Sequence, residues 1–280
     1  DGTWLDRCCA AVPPLARLLA ETFWPGPLTM ILPRAACVPD ETTGGLDTVG
    51  VRCPDHPITR AIITAADTPI AAPSANTSGR PSCTTAADVL EDMDGKIEAV
   101  VDGGSCIVGV ESTILDLTAF PPRLLRPGGL PLEALEKVCG TIALDPAVTR
   151  LMQPGEQPKA PGMKYRHYAP KAPVTVVSGA PERSADYIRT HLSSGEGVIC
   201  FEEFTPLFTG VSVQSLGLST DKDEQARRVF DALRAFDGTQ VAAIWAQCPD
   251  TAGLGLAVAN RLKKAAGFHV IDAGGEEARP

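Results

Sequence analysis

The sequence lacks the features that mark membrane proteins and nucleic-acid-binding proteins. No apolar run approaches the ~18 residues that a membrane-spanning helix needs, so we expect no membrane span. Lys and Arg number 25 against 34 Asp and Glu, which gives a net charge of -9. Because tight binding to a nucleic acid needs clustered cations, we expect no stable nucleic-acid binding.

The cysteines lack the spacing of a zinc site or of a disulfide framework. There are nine of them, an odd number, and none forms a C-x-x-C pair. We therefore expect reduced thiols in a cytoplasmic protein. An initiator Met is absent as well, and residues 1–4 resemble the approach to a helix, so we expect the sequence to be N-terminally incomplete.

Composition and hydrophobic patterning divide the chain into three segments. Residues 1–145 mix short apolar strands with a few amphipathic helices, which predicts a mixed α/β domain. We assign residues 146–173 to a linker, because five prolines and polar spacers fill residues 153–173. From residue 174 to 280, strand and helix patterns alternate, which predicts a small parallel sheet covered by helices.

Periodicity and turn residues locate the elements within these segments. Thr85 and Asp88 have the spacing of a capping box at the start of a helix. Helices are predicted at 11–22, 56–66, 85–93, 132–139, 185–191, 221–236 and 254–266. Strands are predicted at 28–32, 48–53, 68–71, 97–101, 112–117, 123–125, 174–177, 198–201, 241–245 and 268–271.

The stretch A-P-S-A-N-T-S-G at 72–79 is the first candidate binding segment. It carries small and hydroxyl side chains and one amide, without a charge, and follows residues 68–71, which we interpret as a buried strand. Small polar residues at a strand end leave the backbone open to an anion and supply hydroxyl donors. Taken alone, the stretch fits an anion site and an ordinary Ser/Asn turn equally well.

The middle of the linker is the second candidate. Residues 163–168 contain two Tyr, one His and two cations. Such a cluster can stack on a base and pair with phosphate, and we expect it to lie over a bound nucleotide rather than stay exposed. Composition alone equally allows a linker docked on its own domains.

Seven motifs follow one another in the order of a known family. They are F-W-P-G-P-L-T at 23–29, V-G-V-R-C-P at 49–54, A-P-S-A-N at 72–76, V-E-S-T-I at 110–114, L-R-P-G at 125–128, Y-R-H-Y-A-P at 165–170, and G-L-G-L-A with N-R-L at 253–262. From about residue 11 to residue 266, the chain resembles the two-domain L-threonylcarbamoyladenylate synthases. The resemblance implies a YrdC-like catalytic domain, a twisted mixed sheet with helices, followed by a smaller Rossmann-like parallel-sheet domain.

The resemblance also implies an activity and its substrates. L-Threonine, bicarbonate and ATP would give threonylcarbamoyl-AMP and pyrophosphate, and partner proteins would transfer the threonylcarbamoyl group to adenosine 37 of tRNA. Mg²⁺ would accompany ATP, without a protein ligand that the sequence identifies. Motif matching assigns ATP to Thr48, Ser74, Asn76, Ser82, Arg126 and His167, and L-threonine to Arg52, Ala72 and Ser112.

The family's Thr/Tyr-bearing segment and Lys-x-Arg motif do not occur ahead of residue 23, so we expect these 280 residues alone to turn over poorly. Two alternatives stay open. One is a non-catalytic nucleotide- or RNA-binding YrdC-like module, although the acidic balance disfavours RNA. The other is a carbamoyl-transfer enzyme that uses the same domain, but the paired cysteines of its zinc fingers are missing.

Overall fold

The computed structural model describes residues 2–153, 155–156, 158–160 and 167–274. By their contacts, the residues form two units, and each unit contains one five-stranded sheet. The first unit combines Asp1–Pro73 with Glu111–Met163, and the second combines Ser74–Val110 with Lys164–Pro280. The segment 74–110 therefore packs with the C-terminal part of the chain. The domain boundaries drawn from the sequence at 145 and 173 stay a prediction.

The described part of the chain contains the following helices and strands. In chain order they are α1 (Leu5–Cys8), α2 (Pro14–Phe23), β1 (Leu28–Pro33), α3 (Asp40–Thr43), β2 (Thr48–Val51), α4 (Pro57–Ala66), α5 (Ala86–Met93), β3 (Thr113–Asp116), β4 (Arg123–Arg126), α6 (Leu132–Cys139), β5 (Ala143–Leu144), α7 (Pro146–Thr149), β6 (Val174–Ser178), α8 (Pro181–His191), β7 (Gly197–Cys200), β8 (Ser212–Ser215), α9 (Lys222–Ala235), β9 (Ile244–Gln247), α10 (Gly255–Ala265) and β10 (Val270–Asp272). None of these helices is long and apolar enough to cross a membrane.

The first unit holds a mixed sheet with the order β2-β1-β3-β4-β5, which confirms the predicted mixed α/β architecture. Strand β1 runs antiparallel to β2 and parallel to β3, and β3 runs antiparallel to β4. The start of β1, the end of β2, the start of β3 and the end of β4 therefore share one end of the sheet. The loops that carry four of the sequence motifs leave or enter the sheet there.

The second unit holds an all-parallel sheet with the order β10-β6-β9-β7-β8, as the alternating pattern predicts. Helix α9 begins at its cap Asp221, whose side chain accepts the Glu224 N–H at 2.9 Å. Its apolar face, with Val229, Phe230 and Leu233, is buried in the core beside α10 and the central strands. Burial of this apolar stripe stabilises the domain more than helix propensity does.

The segment 74–110 is held to α9 by close backbone contact. Helix α5 starts with the predicted capping box, in which Thr85 accepts from the Asp88 N–H and Asp88 accepts from the Thr85 N–H. At the far end of the segment, a Cβ on Gly109 would lie 2.3 Å from the Ala226 carbonyl oxygen. No side chain fits into that space, so glycine permits the approach.

Two strand predictions are wrong. Residues 68–71 are exposed and irregular, and so are most of residues 97–101, with Val101 64% exposed. A short apolar run forms a strand only where a neighbour supplies hydrogen bonds, and Pro69 and Pro73 lack the N–H that a ladder needs. The strand β8 was not predicted, because its four residues, S-V-Q-S, contain only one apolar side chain.

Candidate functional site

A polar cluster lies where β3 begins and β4 ends. The Arg126 guanidinium donates to the Ser112 carbonyl oxygen, from Nε at 3.2 Å and from Nη2 at 3.0 Å, and to Ser112 Oγ at 3.2 Å. Ser112 Oγ also lies 2.7 Å from Thr29 Oγ1. Both Ser112 and Arg126 are buried. We refer to Thr29, Ser112 and Arg126 as the strand-end cluster.

The R-P-G motif brings its own backbone against the V-E-S-T segment. A Cβ on Gly128 would lie 2.3 Å from the Glu111 carbonyl oxygen, and the Gly129 N–H donates to the same oxygen at 2.9 Å. The Thr113 hydroxyl donates to the Leu130 carbonyl oxygen at 2.6 Å. Glycine is therefore required at 128 by close approach, and this approach holds the Arg126–Ser112 contact in place.

Arg52 follows β2 at the same end of the sheet. Its Nε donates to the Gly26 carbonyl oxygen at 3.0 Å, and the Gly26 N–H donates to the Cys53 carbonyl oxygen at 2.9 Å. The F-W-P-G-P loop is thus tied to the end of β2. By contrast, Thr48 begins β2 and pairs with Pro33, about 13 Å along the strand from Arg52.

Three candidate residues of the second unit, Ser74, Asn76 and Ser82, lie on an irregular loop, residues 74–83. Ser74 is exposed, whereas Asn76 and Ser82 are buried. Asn76 Nδ2 donates to the carbonyl oxygens of Thr77 and Arg80 at 3.0 and 3.1 Å. Its Oδ1 is buried, and no described group donates a hydrogen bond to it. Ala72, assigned to the first unit, is exposed in irregular backbone.

A cluster of charged side chains, buried at Asp92, Arg234 and Asp237, supports loop 74–83. We call Arg80, Glu91, Asp92, Arg234 and Asp237 the charged cluster. Asp92 accepts from Arg80 and from Arg234, the latter with Nη2–Oδ2 at 3.1 Å. Arg80 also contacts Glu91 at 2.9 Å and Asp237 at 3.0 Å. The side chains of Asp92 and Arg234 are 0% and 6% exposed. Because water does not solvate them, each charge is stabilised by the opposite charges of the cluster.

The hydrogen-bond and ion-pair partners of Asp92 keep its carboxyl group ionised. Burial would raise the pKa of this carboxyl, but the Arg234 hydrogen bond, the Thr77 N–H at 2.8 Å and the charges of Arg234 and Arg80 lower it below the usual value. Arg234 in turn has a raised pKa, because its bond to Asp92 and nearby negative charge outweigh its own desolvation. The pair is therefore ionised at neutral pH.

The end of the linker lies against loop 74–83, because the Ala169 N–H donates to the Gly79 carbonyl oxygen at 2.9 Å. His167 is half-buried, and its ring lies 4.3 Å from that of Tyr168. Tyr168 is 1% exposed and packs in the second core, 5.2 Å from the Phe230 ring. Tyr168 is thus a buried residue of that core, and the lid over a nucleotide at residues 163–168 stays a prediction. Residues 163–166 lie outside the described residues.

Similarity to known proteins identifies the family. A family model described as "Telomere recombination", for Sua5, YciO and YrdC, matches residues 1–128, and one described as "Threonylcarbamoyl-AMP synthase, C-terminal domain" matches residues 130–267. The Threonylcarbamoyl-AMP synthase of Pyrococcus abyssi is 48% identical over 278 residues, 95% of this chain and 78% of the relative. That of Bacillus subtilis is 45% identical, over 97% of this chain and 78% of the relative. The chain belongs to the threonylcarbamoyl-AMP synthase family.

A solved structure agrees with this family assignment. The crystal structure of Pyrococcus abyssi Sua5 complexed with L-threonine superimposes with a TM-score of 0.88 at 46% identity, covering 97% of this chain and 79% of that one. The predicted α/β fold and the predicted class, a nucleotidyltransferase-type enzyme, are both confirmed.

Sequence reasoning missed several residues that shape these synthase segments. Thr29 belongs to a quoted motif, and its position at the start of β1 could have indicated it. No sequence pattern indicated that Asp92 and Arg234 form a pair, because they are 142 residues apart and each lies on an ordinary amphipathic helix. Among the described residues, no group of three or more His, Cys, Asp or Glu side chains could hold a metal ion.

Replacing Asp92 by Asn should destabilise this synthase chain most at neutral pH. A carboxylate with a lowered pKa stabilises the fold above its unfolded-state pKa of about 3.9, and this stabilisation is lost as the pH falls through the lower folded-state value. In urea unfolding, the variant should lose about 3–5 kcal/mol at pH 7, because the buried Arg234 charge keeps only the exposed Glu91 carboxylate at 3.7 Å.

As the pH falls below about 3.9, the two unfolding free energies should approach each other, since the carboxylate's stabilisation is lost and protonated Asp resembles Asn. Asp94→Asn is the matched control, because Asp94 is exposed next to the same helix and should change stability by less than about 0.5 kcal/mol. A difference for Asp92→Asn that stays constant from pH 7 to 3 would contradict the charge-based account.

Proposed function

We propose that this chain forms threonylcarbamoyl-AMP and pyrophosphate from L-threonine, bicarbonate and ATP. The product would serve the N6-threonylcarbamoyladenosine modification at position 37 of tRNA. The observation that carries the proposal is 48% identity over 95% of the chain to a protein named Threonylcarbamoyl-AMP synthase. The proposal includes a cytoplasmic location and partner proteins that transfer the threonylcarbamoyl group to tRNA.

The reaction makes two bonds in sequence. The threonine amine attacks the carbon of bicarbonate, water leaves, and a carbamate forms. An oxygen of that carbamate then attacks the α-phosphorus of ATP, and the bond to the β-phosphate breaks to release pyrophosphate. Such chemistry depends mainly on positioning and on stabilising negative charge, which hydroxyls, backbone N–H groups and an Arg can supply.

L-Threonine is assigned to Arg52, Ala72 and Ser112. The guanidinium of Arg52 can pair with the substrate carboxylate, and its bond from Nε to Gly26 would fix the orientation of that plane. Ser112 Oγ, held between Thr29 and Arg126, can hydrogen-bond the substrate. The Pyrococcus abyssi relative in complex with L-threonine supports this substrate.

ATP is assigned by motif to Thr48, Ser74, Asn76, Ser82, Arg126 and His167. Arg126 is buried, and a cation with little water around it stabilises phosphate charge more strongly than an exposed one. Asn76 Oδ1 and the loop hydroxyls can bind the nucleotide's polar groups. Mg²⁺ would enter bound to ATP, as part of the substrate.

Arg126→Met should reduce product formation by about 100-fold or more, which is the usual effect of removing a group that stabilises transition-state charge. The assay incubates the protein with L-threonine, ¹⁴C-bicarbonate, MgATP and pyrophosphatase, and follows labelled threonylcarbamoyl-AMP and phosphate. Omission of any one substrate should abolish both signals.

Arg123→Met is the control for Arg126→Met. Arg123 lies at the opposite end of the same strand, where it pairs with Asp145 at 3.6 Å. Its replacement should leave product formation within about twofold. Since these 280 residues are expected to turn over poorly, the incubations are long and the protein is in excess. ATP binding with no labelled product even then would indicate the non-catalytic module, and equal loss in both variants would contradict the role of Arg126.

Arg52→Met should weaken L-threonine binding by about 10- to 100-fold, the loss expected for a charge-assisted contact. Calorimetry with L-threonine and with L-threoninol, which lacks the carboxylate, tests the contact directly. The unsubstituted protein should discriminate strongly between the two ligands, and Arg52→Met should not. Arg60→Met, an exposed residue on α4, is the control and should bind normally. Preserved discrimination in Arg52→Met would contradict carboxylate recognition by Arg52.

A further inference from the structure

Two charged side chains hold loop 74–83 through its backbone. Asp92 accepts the Thr77 N–H at 2.8 Å, near the start of the loop. Arg234 donates from Nη2 to the Pro81 carbonyl oxygen at 2.8 Å and from Nε to the Ser82 carbonyl oxygen at 3.4 Å, near its end. Asp92 and Arg234 also bind each other, so one ion pair fixes both ends of the loop.

The loop needs such support because it contains no helix or strand. The backbone groups of its buried residues, Asn76, Pro81 and Ser82, must find partners outside a regular ladder. Arg80 extends the support, since its carbonyl oxygen accepts from Asn76 Nδ2 at 3.1 Å while its guanidinium binds Asp92 and Asp237. The conformation that presents Asn76 and Ser82 is therefore coupled to the charged cluster.

Stability alone explains this cluster poorly. A buried ion pair loses hydration as it forms, and well-packed apolar residues of similar size are often as stabilising or more so. What an apolar pair could not do is donate to the Pro81 carbonyl and accept from the Thr77 amide. The geometry thus favours a role in orienting the loop.

The two partners come from different parts of the sequence. Asp92 and loop 74–83 lie within residues 1–128, whereas Arg234 lies on α9, within residues 130–267, which match the C-terminal domain model. We propose that Arg234, with Asp92, is a positioning residue for ATP: it holds loop 74–83 so that Asn76 and Ser82 meet the nucleotide. This inference rests on the proposed function and gives the C-terminal domain a part in the reaction.

Arg234→Met should weaken ATP binding by about tenfold or more and leave L-threonine binding within about twofold, because Arg52 and Ser112 belong to the other unit. Arg234→Lys keeps the charge but not the planar fork, so it should recover part of the affinity. Calorimetry with MgATP and with L-threonine measures both affinities, and KM for ATP and kcat are measured beside them.

Arg228→Met is the matched control. Arg228 lies on the same helix, is 43% exposed, and pairs with Glu224 away from the loop. It should bind both ligands normally. Thermal unfolding of every variant identifies any that does not fold. If Arg234→Met fails to fold, Arg234→Lys carries the test, since a loss of ATP affinity with normal L-threonine affinity still supports the inference.

Unchanged ATP affinity in a folded Arg234 variant would overturn the positioning role, and so would an equal loss of ATP and L-threonine affinity. Either result leaves the proposed function standing, because the unsubstituted protein would still make product. If the unsubstituted protein binds ATP but makes no product, the proposed function fails, while the affinity comparison still tests Arg234. If it does not bind ATP, both proposals fail.

Discussion

The ion pair between Arg234 and Asp92 is the interaction on which the second unit's candidate site depends. It connects α5, loop 74–83 and α9 in one hydrogen-bonded group, and Asp237 extends the group to the linker by accepting the Lys171 N–H at 2.8 Å. Both side chains are buried, so removal of either leaves its partner buried with less compensating charge, Arg80 for Asp92 and the more distant Glu91 for Arg234. The position of an irregular loop is thereby set by residues far away in the sequence.

In the first unit, two other arginines also donate to backbone carbonyl oxygens. Arg126 donates to the Ser112 carbonyl oxygen and Arg52 to the Gly26 carbonyl oxygen, as Arg234 does to that of Pro81. In each case a planar guanidinium, with several donors in fixed directions, ties down backbone within or beside a sequence motif. At these three places, carbonyl groups in or beside a motif are thus satisfied by arginine, which fixes the backbone next to candidate binding side chains.

Sequence reasoning succeeded where the signal was local. The capping box at Thr85, the apolar stripe of α9 and the strand β1 each follow from spacing within one element, and the structure confirms all three. Sequence reasoning failed where the conformation of a segment depends on a neighbouring element that pairs with it. Residues 68–71 and 97–101 are apolar enough for strands, but no described strand pairs with them. Composition also did not indicate that Tyr168 packs against Phe230 in the core, and the lid expected at residues 163–168 stays a prediction.

The central claim, that a cation on α9 holds loop 74–83, is tested most directly by amide hydrogen exchange. Wild type and Arg234→Met are compared at the loop amides, above all Thr77, with β9 and α10 as internal references. The account predicts exchange about tenfold faster or more in the loop of the variant, with the references unchanged, because local opening there costs less free energy. Equal loop exchange in the two folded proteins would contradict it.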